Sequence, residues 1–227
     1  MRSTYHELLE MMPQQVEQGE QQPEGYYPLK LTMDEAVIHG RYYPAEQARQ
    51  AAIWVGGVGG DWDSPAQDLY PLLCHELTKA GIASLRIRYR QPTDLEASIM
   101  DVLAGVRYLQ DQGIETIALI GHSFGGAVVI QAAAQSLTVR TVVTLATQSY
   151  GTEAVPELAT RCSLLLLHGT ADPILPFHCS EQVHQRALDP KQLILYPDAG
   201  HRLDEVADQV YLTVHGWLLE QLNSELF

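Results

Sequence analysis

TIALIGHSFGGA, residues 116–127, is the stretch that decides how the whole chain is read. Its first five residues are apolar without alternation, the pattern of a strand covered on both faces. Gly121-His122-Ser123-Phe124-Gly125-Gly126 follows at once, and an alanine-rich helix is expected from 127 to about 135. A serine set between a buried strand and a helix requires a sharp turn. Gly121 and Gly125, two residues to either side, stand where a Cβ would collide in that turn. Gly126 lets the helix lie close to the strand. Such a turn projects the Ser123 hydroxyl beyond the C-terminal edge of a sheet, where open α/β sheets bind ligands. It also aims the Phe124 N–H at the same spot, at the partly positive end of a helix.

Outward from this stretch the chain alternates short apolar runs with longer helical stripes. Strands are expected at 51–55, 83–89, 116–120, 141–146, 164–167 and 193–196. A helix over 94–109 carries Leu95, Ile99, Val102, Val106 and Leu109 on one side. Another over 203–222 carries Val206, Val210, Val214, Trp217 and Leu218. Ser64 and Pro65 read as a further helix start, and segments 29–33 and 36–42 as an antiparallel hairpin at the sheet edge. The expected fold class is therefore α/β: a mostly parallel twisted sheet with helices on both faces, joined by right-handed crossovers. Residues 1–25, with five Gln, five Glu and Arg2 as the one basic residue, read as a mobile or loosely docked leader. Within it, 6–12 could form a short amphipathic turn. Residues 26–227 read as a single domain.

The composition narrows the function. Of 227 residues, 46% are hydrophobic, and 28 acidic against 14 basic side chains give a formal charge of −14. A surface of that sign disfavours nucleic acid and anionic lipid as partners. Cys74, Cys162 and Cys179 form no CxxC pair and are expected to be reduced thiols. No apolar run approaches the roughly 18 residues of a membrane span, and the N-terminal residues lack a secretory h-region, so a cytoplasmic location is expected. There is no HExxH or paired-histidine spacing, and neither a catalytic metal nor a cofactor is expected.

The Gly-x-Ser-x-Gly turn between strand and helix is similar to that of the α/β hydrolases, and the likeness runs from about residue 26 to 222. In style the chain most resembles the compact serine esterases related to dienelactone hydrolase. That resemblance implies the order Ser, then Asp or Glu, then His. LLLLHGTADPILP sets Asp172 just past a buried strand, and YPDAGH sets His201 in a glycine-preceded loop before the last helix. Serine attacks only when a base takes its proton as the bond forms. His201 is thus expected to be that base and Asp172 to orient it. Asp198, three residues before His201, is a rival acid read as a turn former. Asp101 and Glu96 are read as structural, and His39, His75, His178, His184 and His215 as ordinary surface or partly buried residues. His122 and His168 are read as bonding local backbone or shaping the site.

The strand at 51–55 runs into Gly56-Gly57-Val58-Gly59-Gly60-Asp61. A phosphate-loop reading fails, because no GK[ST] follows and Trp62 stands where GxGxxG needs its last glycine. The resemblance makes Val58 one main-chain oxyanion donor and Phe124 the second, with Gly56 replacing the family's usual histidine. Only about 14 residues separate the strand after the nucleophile helix from the strand bearing Asp172. That is too few for a multi-helix lid, so no large cap domain is expected. An open site is, with Trp62, Tyr150 and Ile174 as candidate substrate contacts. The expected activity is hydrolysis of small-molecule carboxylic esters or lactones. Exopeptidase, amidase or thioesterase action on the same residues, or a non-catalytic scaffold that binds a small ligand, are the alternatives.

Overall fold

The computed structural model describes residues 13–33 and 36–223; the turn expected at 6–12 lies outside the described residues. Among the described residues nine strands form one sheet: β1 (Gln15–Gln18), β2 (Tyr27–Met33), β3 (Ala36–Tyr43), β4 (Gln50–Val55), β5 (Ala83–Arg88), β6 (Thr116–His122), β7 (Val139–Leu145), β8 (Ser163–Gly169) and β9 (Lys191–Tyr196). Their spatial order is β1-β2-β3-β5-β4-β6-β7-β8-β9. From β1 to β5 the neighbours run antiparallel, and from β5 through β9 every pair is parallel. The expected hairpin is β2–β3. Strand β1, inside the stretch read as a leader, extends it at the edge with all four residues exposed.

The α-helices that cover the sheet among the described residues are α1 (Pro65–Lys79), α2 (Leu95–Asp111), α3 (Phe124–Ala134), α4 (His178–Arg186) and α5 (Ala207–Asn223). Period-2 alternation sorts the strand side chains between two cores. Ile53, Val55, Leu164 and Leu166 join α2, α3 and α4 on one side. Trp54, Ala52, Leu165 and Leu167 join α1 and α5 on the other. Both faces being covered explains why LLLL and TVVTLA show no polar alternation. Asp94 caps α2 as its sequence signals, with its side chain accepting from the Ala97 N–H at 3.0 Å. The last helix opens with a 3-10 turn, Asp204–Val206, and turns α-helical at Ala207, later than the stripe alone indicates.

Two features of the topology position the site. Strand β4 lies between β5 and β6, so the chain crosses to the other side of β4 at that point. The loops leaving β4 and β6 therefore lead to helices on opposite faces of the sheet, the kind of position at which open α/β sheets bind ligands. The connection from β7 to β8 holds one short 3-10 helix, Val155–Leu158, and no cap domain.

Candidate active site

Ser123 sits between β6 and α3 at φ 57°, ψ −118°, a conformation that costs an L residue on the order of 1–3 kcal/mol. Close packing holds it there. A Cβ on Gly121 would lie 2.2 Å from the Gly125 carbonyl oxygen, and one on Gly125 would lie 2.4 Å from that of Gly56. A Cβ on Gly126 would lie 2.2 Å from Thr147 Oγ1. The Ser123 N–H donates to Leu145 O at 2.8 Å and ties the turn to β7. Among the described residues the Ser123 hydroxyl makes no hydrogen bond, to His201 or to any other group.

His201 and Asp172 are brought together. The imidazole Nδ1–H donates to Asp172 Oδ2 at 2.7 Å, and the Asp172 side chain is fully buried. Its other oxygen accepts from the Ile174 N–H at 2.8 Å and the Leu175 N–H at 2.9 Å. Burial alone would raise this carboxyl, but these hydrogen bonds outweigh it and hold the group below the usual carboxylate value. The loops carrying the two residues are welded at Gly169, where a Cβ would meet the Ala199 carbonyl oxygen at 2.1 Å. The Ala171 N–H also donates to that carbonyl, at 3.0 Å. With Nδ1 committed to Asp172, the neutral ring offers a lone pair at Nε2.

His122, next to Ser123 in the chain, packs against His201 with ring centroids 4.8 Å apart. Its Nε2–H donates to the His201 carbonyl at 3.0 Å. Its Nδ1 is buried without a hydrogen-bond partner among the described residues, 3.8 Å from Asp63 Oδ2. Burial pushes this imidazole down to about 4. The unfolded chain, with an ordinary histidine near 6.5, takes up a proton that the folded protein refuses. Stability from this residue is therefore complete above about 6.5 and is lost as pH falls toward 4. At about 1.4 kcal/mol per unit the loss is on the order of 3 kcal/mol. Urea unfolding between pH 7 and 4 should show His122→Gln with a flatter stability profile than the wild type, and equal slopes would exclude this assignment.

The His201 loop is also clamped from the side of α1. Arg202 pairs with Asp63 Oδ1 at 2.7 Å and donates to Ser64 O at 2.5 Å. The Ala66 N–H donates to Arg202 O at 2.7 Å, and the Gln67 N–H to Asp204 Oδ1 at 2.9 Å. Ala66, Gln67 and Asp68 carry φ values of 49°, 51° and 64°, a left-handed turn of three non-glycine residues in a row. Chirality disfavours that turn by about 1–2 kcal/mol per residue. The bonds to the His201 loop run from it. Sequence reasoning missed this clamp, since nothing in SPAQD marks a left-handed turn.

The remaining expected residues fall at or near the same edge. The β4 loop passes over Ser123, so that a Cβ on Gly57 would lie 3.2 Å from Ser123 Cβ. Among the described residues neither the Val58 nor the Phe124 N–H enters a backbone hydrogen bond. Val58, Tyr150 and Ile174 are 53%, 78% and 67% exposed, on loops that follow β4, β7 and β8. The Trp62 ring faces guanidiniums, with Arg41 4.2 Å above its centroid and Arg86 and Arg88 near 6 Å. Asp198 adopts φ 60° in its turn and makes no bond to His201, as a turn former should. Asp101 is buried against Arg90, at 2.5 Å, consistent with a structural role. Among the described residues no cluster of three His, Cys, Asp or Glu side chains could hold a metal ion, and no helix is long and apolar enough to cross a membrane.

Comparison with known proteins agrees with this architecture. The chain is 31% identical over 126 residues to the uncharacterized protein YfhR of Escherichia coli K12, a match spanning 46% of this chain and 44% of that protein. The match therefore takes in less than half of that relative's length. A dienelactone hydrolase from Anabaena variabilis superposes with a TM-score of 0.75 at 20% identity, covering 87% of this chain and 98% of that one. Est1E from Butyrivibrio proteoclasticus superposes at 0.73 with 17% identity, over 87% and 99%. The sequence profile of the phospholipase/carboxylesterase family matches residues 88–210, more than half of the chain and the part that holds Ser123, Asp172 and His201. The protein belongs to that family and has the α/β-hydrolase fold.

Proposed function

We propose that the protein is a serine hydrolase that cleaves carboxylic esters or lactones through an acyl-enzyme. The observation that carries this reading is the position of the His201 ring, bonded to Asp172 at 2.7 Å and packed on His122 beside the Ser123 turn. The Ser123 oxygen attacks the carbonyl carbon as its proton passes to His201 Nε2. The alkoxide leaves with that proton. Water then attacks the acyl-serine by the same route in reverse, restoring the hydroxyl and releasing the acid. Asp172 keeps Nδ1 protonated and stabilises the imidazolium that forms in each step. The Val58 and Phe124 N–H groups take the charge that develops on the carbonyl oxygen, where each such donor contributes on the order of 3 kcal/mol.

Substrate enters a rim without a cap, beside exposed Val58, Tyr150 and Ile174, which suits small or protruding esters. Trp62, held among arginines, steadies the segment that follows the oxyanion loop. A fluorophosphonate probe should add covalently to the full chain, with the mass shift on the peptide containing Ser123 and accompanying loss of ester turnover. Folded protein that hydrolyses no ester and takes no label would favour a binding scaffold.

A further inference from the structure

Asp172 Oδ2 has a second imidazole partner that the hydrolytic cycle above does not use. His168, at the end of β8 and fully buried, approaches that oxygen with Nε2 at 3.1 Å. The same Nε2 lies 3.0 Å from the Leu175 carbonyl, and Nδ1 lies 2.7 Å from Ser180 Oγ on α4. A carbonyl and a carboxylate both only accept, so Nε2 must carry the proton, and Nδ1 of the neutral ring accepts the Ser180 hydroxyl. Burial favours that neutral ring. One oxygen of Asp172 therefore receives two imidazole N–H groups while the other receives two backbone N–H groups.

We propose that His168 is a positioning residue for the hydrolytic reaction, fixing the Asp172 carboxylate so that Oδ2 meets the His201 Nδ1–H. The inference rests on the reading of Ser123, His201 and Asp172 given above. Backbone donors at Ile174 and Leu175 bond Oδ1 alone. Rotation about Cβ–Cγ swings both oxygens together, and the His168 N–H on Oδ2 adds to those donors in opposing it. Ser180 and the Leu175 carbonyl lock the tautomer that makes His168 a donor. Without them the ring could turn a lone pair toward the carboxylate and repel it.

Reach separates this role from simple filling of a buried polar slot. Glutamine at 168 can set an N–H near the place of Nε2, whereas asparagine extends only toward Ser180 and leucine donates nothing. With a short-chain p-nitrophenyl ester, His168→Leu and His168→Asn should lose between about tenfold and a hundredfold in kcat with little change in KM, the size expected of a hydrogen bond to a charged group. His168→Gln should recover most of the loss. In the full chain carrying Ser123→Ala, the deshielded His201 Nδ1 proton seen by NMR should shift on adding His168→Asn and return with His168→Gln. Equal rates for the Asn and Gln variants, or an unmoved proton resonance, would overturn the proposal. The NMR comparison needs no turnover, so it judges His168 even if Ser123→Ala keeps its activity and the hydrolytic reading fails.

Discussion

Ser123→Ala should lower kcat by about 10⁵-fold or more on any ester the wild type cleaves, and leave the fold and its melting temperature almost unchanged. On the proposed mechanism turnover depends on a hydroxyl that makes no hydrogen bond among the described residues, so its removal breaks none and leaves no buried polar group unpaired. What holds the turn is main chain and glycine: the Leu145 carbonyl on the Ser123 N–H, and contacts that leave no room for a Cβ at Gly121, Gly125 or Gly126. Alanine keeps the Cβ and hence the strain of φ 57°. Ser123→Gly removes both hydroxyl and Cβ, and should be equally inactive yet more stable by about 1 kcal/mol. Residual turnover would then come from the proposed oxyanion donors and binding alone. Kinetics with thermal melts of the three proteins provide the check. A Ser123→Ala protein with wild-type turnover would end the nucleophile assignment.

Much of this was legible in the sequence because the relevant signals are local. The buried strands read as runs because both faces are covered, and the serine turn reads from its glycines because no other residue fits there. Where the structure goes beyond the sequence, the cause is non-local. Strand β1 is four exposed residues with no alternating apolar face. Helix α4 buries only Ser180 and Val183, too short a stripe to show a helical period. The left-handed turn at Ala66–Asp68 is written in residues that seldom adopt it, and its N–H groups go to Arg202 and Asp204, some 137 positions away. His168 lies only four residues before Asp172, so its identity was visible. Its bond to Oδ2 was not, since that depends on how the β8 loop folds back under α4.

Asp172→Asn should be nearly as damaging, with kcat down about 10⁴-fold and KM little altered, through tautomers rather than packing. The Ile174 and Leu175 N–H groups require an acceptor, so the carbonyl oxygen of the introduced side-chain amide takes the place of Oδ1. Its NH₂ then lies where Oδ2 stood, facing the N–H of His201 and that of His168. Three donors cannot share that space. His168 resists switching, because the Leu175 carbonyl also needs its Nε2–H and Ser180 supplies Nδ1. His201 has no second acceptor at Nδ1 among the described residues, so it yields. Its proton moves to Nε2, and Nδ1 accepts from the amide. The ring keeps its place but presents a proton where Ser123 needs a base. Nitrogen-detected NMR of the imidazoles should accordingly report His201 as the Nε2–H tautomer in the variant and the Nδ1–H tautomer in the wild type. Asp198→Asn serves as the contrast. That residue makes no bond to His201 and holds φ 60°, which asparagine accepts readily, so turnover and stability should stay close to wild type. Loss of activity in Asp198→Asn with retention in Asp172→Asn would move the acid to position 198 and require the His201 loop to refold around it.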